Sequence, residues 1–145
     1  MWRALFAAVS LALSIGCVSK ATRPNPPEPL YFAVELTEGG KRVGAPKLIG
    51  FSGKRIIAER RAPGAAESDY RLVLEPREVG PGYQLGVKVQ LPSGERSGDV
   101  AMLHGEERSV PLGPKVELKV LMMRVDSDEF RAFISTPSPG DRGQI

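Results

Sequence analysis

The chain has 145 residues but one cysteine, one histidine, one tryptophan and nine aromatic residues in all (five Phe, three Tyr and one Trp). A lone thiol has no internal disulfide partner, and a zinc site needs three or four His, Cys or acidic ligands. The single His104 stands beside Gly105 and is expected in a solvent-exposed loop. No serine lies in a GxSxG setting, and no glycine-rich phosphate loop precedes a helix. Asp126, Asp128 and Glu129 lack the central glycine and distal glutamate of a calcium loop and fit a hairpin turn instead. Glu35 with Glu75, or Asp69 with His104, would need the fold to bring them together as an acid and a base. The expectation is a protein that is not an enzyme and holds no cofactor or metal. Charge of one sign is also missing: 20 Lys and Arg face 17 Asp and Glu, a formal net charge of +3. That balance points away from a nucleic-acid partner. Lys54, Arg55, Arg60 and Arg61 form the one basic cluster in sequence. It suits anionic headgroups, but a solvated strand face accounts for it more simply.

Long apolar runs are scarce too. The longest, Ala4 to Ile15, is shorter than the roughly 20 residues that cross a bilayer as a helix. It follows Arg3 and ends at Ser14-Ile15-Gly16-Cys17, which is the layout of a secretory signal peptide over residues 1–16. The cysteine at the cut site resembles the lipobox of bacterial lipoproteins. The resemblance implies that Cys17 is acylated, carries palmitate-type chains, and becomes the first mature residue. Multiple acyl chains would attach it firmly to a membrane. Val18 stands where an inner-membrane retention signal would be Asp, so the resemblance favours the periplasmic face of the outer membrane. The match departs from the family pattern in that Ser14 occupies the large aliphatic position and Leu13 lies one place early. Ser14 and Gly16, or Ser19 and Ala21, also suit ordinary secretory cleavage, which would leave a soluble periplasmic or secreted protein.

Residues 17–29 are rich in proline (Pro24, Pro26, Pro27 and Pro29), which favours an extended tether. Residues 135–145 are polar and rich in Pro and Gly, the composition of a disordered tail. Between them, residues 30–134 read with a period of two. Leu85, Val87, Val89 and Leu91 alternate with Gly86, Lys88 and Gln90; Val116, Leu118, Val120 and Met122 alternate with Glu117, Lys119 and Leu121. Shorter β-rich runs cover Tyr31 to Leu36 and Arg71 to Glu75. Alternation of this kind buries one side of each strand. Gly-containing breaks at 38–41, 52–54, 93–95 and 104–106 supply turns. No sustained helical stripe occurs beyond the signal. The expectation is an all-β domain, an antiparallel sandwich or flattened barrel of about eight strands.

A faint internal repeat supports two copies of a four-stranded unit. Gly40 falls on Gly94, Arg42 on Arg96 and Gly44 on Gly98, each 54 apart; Gly53 falls on Gly105 (52) and Tyr70 on Val116 (46). Residues 124–134 read as an added edge hairpin with Val125, Phe130 and Ile134 as its apolar residues and Asp126-Ser127-Asp128 as its turn. The order PKLIGFSGKRIIAE, then YRLVLEPREVGPGYQLGVKVQL, resembles the β-domain of secretins over about a third of the chain. That resemblance implies strand order alone, since those channels are far larger.

With chemistry sparse, contact is the expected work: a lipid-anchored accessory or scaffold protein bound to a protein of the cell envelope. Phe51, Tyr83 and Met102, read as exposed, and the basic run Lys54, Arg55, Arg60 and Arg61 are the candidate contacts. The alternative is a carrier that encloses a small lipid or glycan, which would need an interior wider than side chains can fill.

Overall fold

The computed structural model describes residues 25–136. The expected signal segment, Cys17, the first part of the expected tether and all but the first two residues of the expected tail lie outside the described residues. Nine strands and one helix follow in order: β1 (Pro29–Glu38), β2 (Lys41–Gly44), β3 (Lys47–Phe51), β4 (Ile56–Arg60), β5 (Tyr70–Val79), β6 (Gly82–Leu91), β7 (Gly94–Met102), β8 (Glu107–Pro111), β9 (Val116–Arg124) and α1 (Asp128–Ser135). All strand pairings are antiparallel. One sheet runs β2-β1-β9-β8 with β3 also on β1; the other runs β4-β5-β6-β7. The fold is thus the β-sandwich that the alternation predicts.

Strands β2 and β3 act as one strand interrupted at Ala45-Pro46, which is why nine segments replace the expected eight. Both pair with β1, and the Pro46 carbonyl still accepts the Val34 N–H at 3.0 Å. Pro76 sits inside a ten-residue strand, a position a proline usually destroys. It is tolerated because β4 stops pairing at Leu74, and the Pro76 carbonyl instead accepts the Gly53 N–H at 2.7 Å. Two layers close over a single core. Leu30, Phe32, Leu36, Leu72, Leu74, Leu85, Val89, Leu118, Val120 and Met122 are completely or almost completely buried in it. Close packing leaves little tolerance for added atoms: a Cβ on Gly44 would fall 2.4 Å from the Tyr70 ring.

The two halves of the chain are related by an internal two-fold arrangement. Setting β1 on β6, β2–β3 on β7, β4 on β8 and β5 on β9 converts one sheet order into the other. The register agrees residue by residue. Leu36 falls on Val89 and Leu118 on Leu72, and both Leu36–Leu118 and Leu72–Val89 are paired. Likewise Phe32–Leu48 falls on Leu85–Val100, and Ile56–Leu74 on Arg108–Val120. The spacings of 52 (Gly53 to Gly105) and 46 (Tyr70 to Val116) are those of the pairing. The spacing of 54 is corrected to 53 on β1 (89 − 36 = 53). A shift of 54 would set buried Leu36 on exposed Gln90, because one residue of slip exchanges the two faces of a strand. Gly44 accordingly matches Arg96 rather than Gly98, as Leu36–Gly44 corresponds to Val89–Arg96.

The expected edge hairpin at 124–134 is instead the helix α1. Ser127 is its N-cap: its hydroxyl accepts the Phe130 N–H at 3.1 Å, and Asp128 and Glu129 place acid in the first turn. Phe130 and Phe133 lie three apart on one helix face and stack on Tyr31, with ring centroids 5.2 and 5.7 Å away. The helix thereby covers part of the outer face of the β1–β9 sheet, over Tyr31 and Met123.

The symmetry makes the β9–β1 pairing equivalent to the β5–β6 hairpin, so the chain should tolerate exchanging them. A permuted chain starting at Pro81, joined from Thr136 to Asn25 by a flexible Gly/Ser linker, is expected to fold. Circular dichroism should report the same β content, with stability within about 2 kcal/mol of the parent. A permuted chain that stays unfolded would contradict the equivalence.

Candidate functional site at the proximal end

The strands define two ends of the sandwich. The proximal end, where the chain enters at Asn25, carries the segments around 25–29, 52–55, 79–82 and 103–106 and the start of α1. The distal end carries the turns around 39–40, 61–69, 92–93 and 112–115.

At the proximal end the entering chain is fastened by a polar cluster drawn from five segments. Ser52, at 5 % exposure, accepts the Glu28 N–H on its hydroxyl (2.9 Å) and donates to the Glu78 carboxylate (2.8 Å). The Ser52 N–H in turn donates to the Glu28 carbonyl at 2.9 Å. The Glu28 carboxylate accepts the Tyr83 hydroxyl and pairs with Arg124 Nε at 3.1 Å, and Arg124 also donates to the Tyr83 oxygen at 3.3 Å. Asn25 reaches Glu78 at 3.4 Å. Burial, then its bond to Glu28, pushes the Tyr83 hydroxyl above the usual phenol range. The Tyr83 and Glu28 contacts hold the guanidinium of Arg124 more firmly protonated.

His104 is half-buried and structural, not a solvated loop residue. Its Nδ1 accepts the Arg124 N–H at 3.0 Å, which leaves Nε2 to meet Glu129 at 3.1 Å. The ring thus ties the first turn of α1 to β9. The Glu129 carboxyl is held below the usual carboxylate range by a backbone hydrogen bond in that turn and by His104. Glu106 closes the neighbouring loop by accepting the Leu103 N–H at 2.9 Å and pairing with Arg108. Those contacts, the backbone one first, also lower its pKa.

Of the predicted contact residues, Phe51 is half exposed at 50 %. Tyr83 and Met102 are not on the surface: they are 3 % and 2 % exposed, both facing the core. The basic run is not one patch. Lys54 and Arg55 precede β4 at the proximal end, while Arg60 and Arg61 lie at its distal end. Arg55 pairs with Glu75 (2.7 Å), Arg60 with Asp69 (3.4 Å) and Arg61 with Glu59 (3.0 Å). The proposed acid–base partners are separated in the same way. Glu35 pairs with Arg42 at 2.7 Å, which together with the charge of Lys119 keeps its carboxyl low. Asp128 pairs with Arg131. Among the described residues no three His, Cys, Asp or Glu side chains converge as a metal site.

A shallow polar basin of about 470 Å³ lies on the outer face of the β4–β7 sheet. Gly86 forms its floor between its cross-strand neighbours Glu75 and Asp99, and Arg77 and Lys88 stand at its side. A second notch, about 200 Å³, lies at the proximal end against Val79, Pro81, Leu103 and Arg108. Both open on the outside.

The sequence reading did not anticipate the polar cluster, nor a set of exposed apolar side chains. Among the described residues seven large hydrophobic side chains are exposed: Ile49, Phe51, Ile57, Val79, Leu103, Phe133 and Ile134. Six belong to the proximal end, and Ile57 lies on the outer face of β4. Phe51 pairs with Pro29 and Ile49 with Tyr31, onto which Phe133 stacks; Val79 is at the β5–β6 tip and Leu103 in the β7–β8 loop. No protein-family model, curated protein or solved structure matches the chain.

Two outcomes test the cluster. Arg124→Met removes one charged partner from a half-exposed network and should cost about 1 kcal/mol in urea unfolding. Because the folded state raises the Tyr83 pKa, its contribution is present below the unfolded phenol value near 10 and is lost as pH rises through the folded one. Tyr83→Phe should therefore flatten the alkaline loss of stability in urea titrations at pH 9–12.

Proposed function

We propose that the chain is a non-catalytic lipoprotein, acylated at Cys17, that holds its β-sandwich at the periplasmic face of the outer membrane. There it serves as an accessory or scaffold protein in an envelope complex. The observation that carries this reading is the fastening of residues 25–29, just downstream of Cys17, by Ser52, Glu78, Tyr83 and Arg124. A chain pulled at its N-terminus transmits that pull into the centre of both sheets through these bonds, because Glu28 leads directly into β1. Charge supports the same reading: the exposed arginines are largely engaged with neighbouring carboxylates, so the surface is mixed and suited to docking rather than to a polyanion. Partner contact falls to the outer strands β4 and β8, whose five-residue lengths leave short free edges.

Labelling with palmitate in a Gram-negative host tests the anchor. Wild type should take up label and sediment with membranes, and Cys17→Ala should lose both. Label that persists in Cys17→Ala refutes the reading. Crosslinking in intact cells should recover an envelope protein through residues on the edge strands β4 and β8.

A further inference from the structure

Exposed apolar side chains are ordinary when scattered singly, but a group on one side of a molecule marks a contact surface. Here they come from separate segments of the chain, yet six of the seven collect at the end where the chain enters. They are also held in place. The Leu103 loop is pinned by Glu106, by the Glu106 N–H to the Leu103 carbonyl (3.2 Å), and by the Gly105 N–H to Met122 (2.8 Å). The helix that presents Phe133 and Ile134 is capped by Ser127 and tied to β9 through His104 and Glu129. Fixed apolar exposure of this kind does not arise from a loose loop that happens to expose its side chains.

We propose that the proximal end rests on the lipid bilayer, with Ile49, Phe51, Val79, Leu103, Phe133 and Ile134 dipped into the boundary between headgroups and acyl chains. The inference rests on acylation of Cys17 and goes beyond it, by assigning which face meets the membrane. Chain length argues for lipid as the occupant. Asn25 follows Cys17 by eight residues (25 − 17 = 8), so the two Cα atoms are at most about 28 Å apart. An anchored sulfur therefore keeps the proximal end within that distance of the membrane, close enough for its apolar side chains to reach the lipid. Charge defines how the contact works. Of the cations nearest the face, Arg55, Arg108, Arg124 and Arg131 pair with Glu75, Glu106, Glu28 and Asp128, while Lys54 and Arg77 make no ion pair among the described residues. With four of these six cations paired, attraction to anionic lipid is limited, and insertion of apolar side chains carries the contact.

The test uses the full chain with Trp2→Phe, so that one introduced tryptophan reports alone. Leu103→Trp places it at the proximal end and Ser93→Trp at the distal end. Cys17 is coupled through its thiol to a maleimide phospholipid in phosphatidylethanolamine vesicles containing brominated lipid, so docking is read whether or not the host acylates the chain. Mass measurement of the chain from host membranes reports acylation separately. The expected result is quenching of the Leu103→Trp chain at least about threefold stronger than that of the Ser93→Trp chain, with a blue-shifted emission. Adding phosphatidylglycerol or 0.5 M salt should change it little. Equal, weak quenching at both positions overturns the proposal. So does a blue shift at Leu103→Trp without lipid quenching, which would mean that a second copy of the chain covers the face. Quenching that appears only with phosphatidylglycerol and vanishes in salt also overturns it, in favour of electrostatic adsorption.

Discussion

The structure depends on the ladder between β1 and β9, the first and last strands among the described residues, side by side in the middle of one sheet. Nine residue pairs run from Leu30–Arg124 to Glu38–Val116. Each strand carries four side chains into the shared core: Leu30, Phe32, Val34 and Leu36 from β1, and Val116, Leu118, Val120 and Met122 from β9. Burial of that many large apolar groups outweighs any surface ion pair in the molecule. Every other element is placed by reference to this seam: β2 and β3 extend it on one side, β8 on the other, and the second sheet covers its inner face.

The proximal end is a direct outcome of the seam. Glu28 and Arg124 stand at its last step, so the ion pair between them closes the ladder where the chain enters. Beyond Arg124 the chain turns through Ser127 into α1, which folds back over Tyr31 and Met123. The polar cluster, the histidine tie and the apolar face therefore share one origin. In the internal two-fold arrangement, Leu30–Arg124 corresponds to Tyr83–Glu78. The cluster thus draws three of its side chains from the two equivalent steps, which the symmetry brings to the same end.

Much of the fold was legible because strict alternation over β6 and β9 has one physical meaning. The glycines at 39–40, 53, 94 and 105 likewise all adopt positive φ. The burial of Tyr83 was legible too: carrying the β6 alternation from Leu85 back two residues places it in the core. Met102 follows Val100 in the same way. The phase of the repeat was lost because glycine turns were matched in preference to inward-facing residues. The helix was missed because two turns give too few residues for a 3.6 period to stand out, and a capping serine between two aspartates has the composition of a tight turn. The proximal cluster was not legible. Glu28, Ser52, Glu78 and Arg124 are far apart in sequence, and each is an ordinary polar residue until the strand register joins them.

Pairing the first strand with the last has a consequence for how the polypeptide comes into being. As it is synthesised, β1 has only β2 and β3 beside it until residue 124 has emerged. A half-made chain leaves Phe32 and Val34 without the β9 side chains that complete their layer. Closure of that layer therefore waits until β9 has been made.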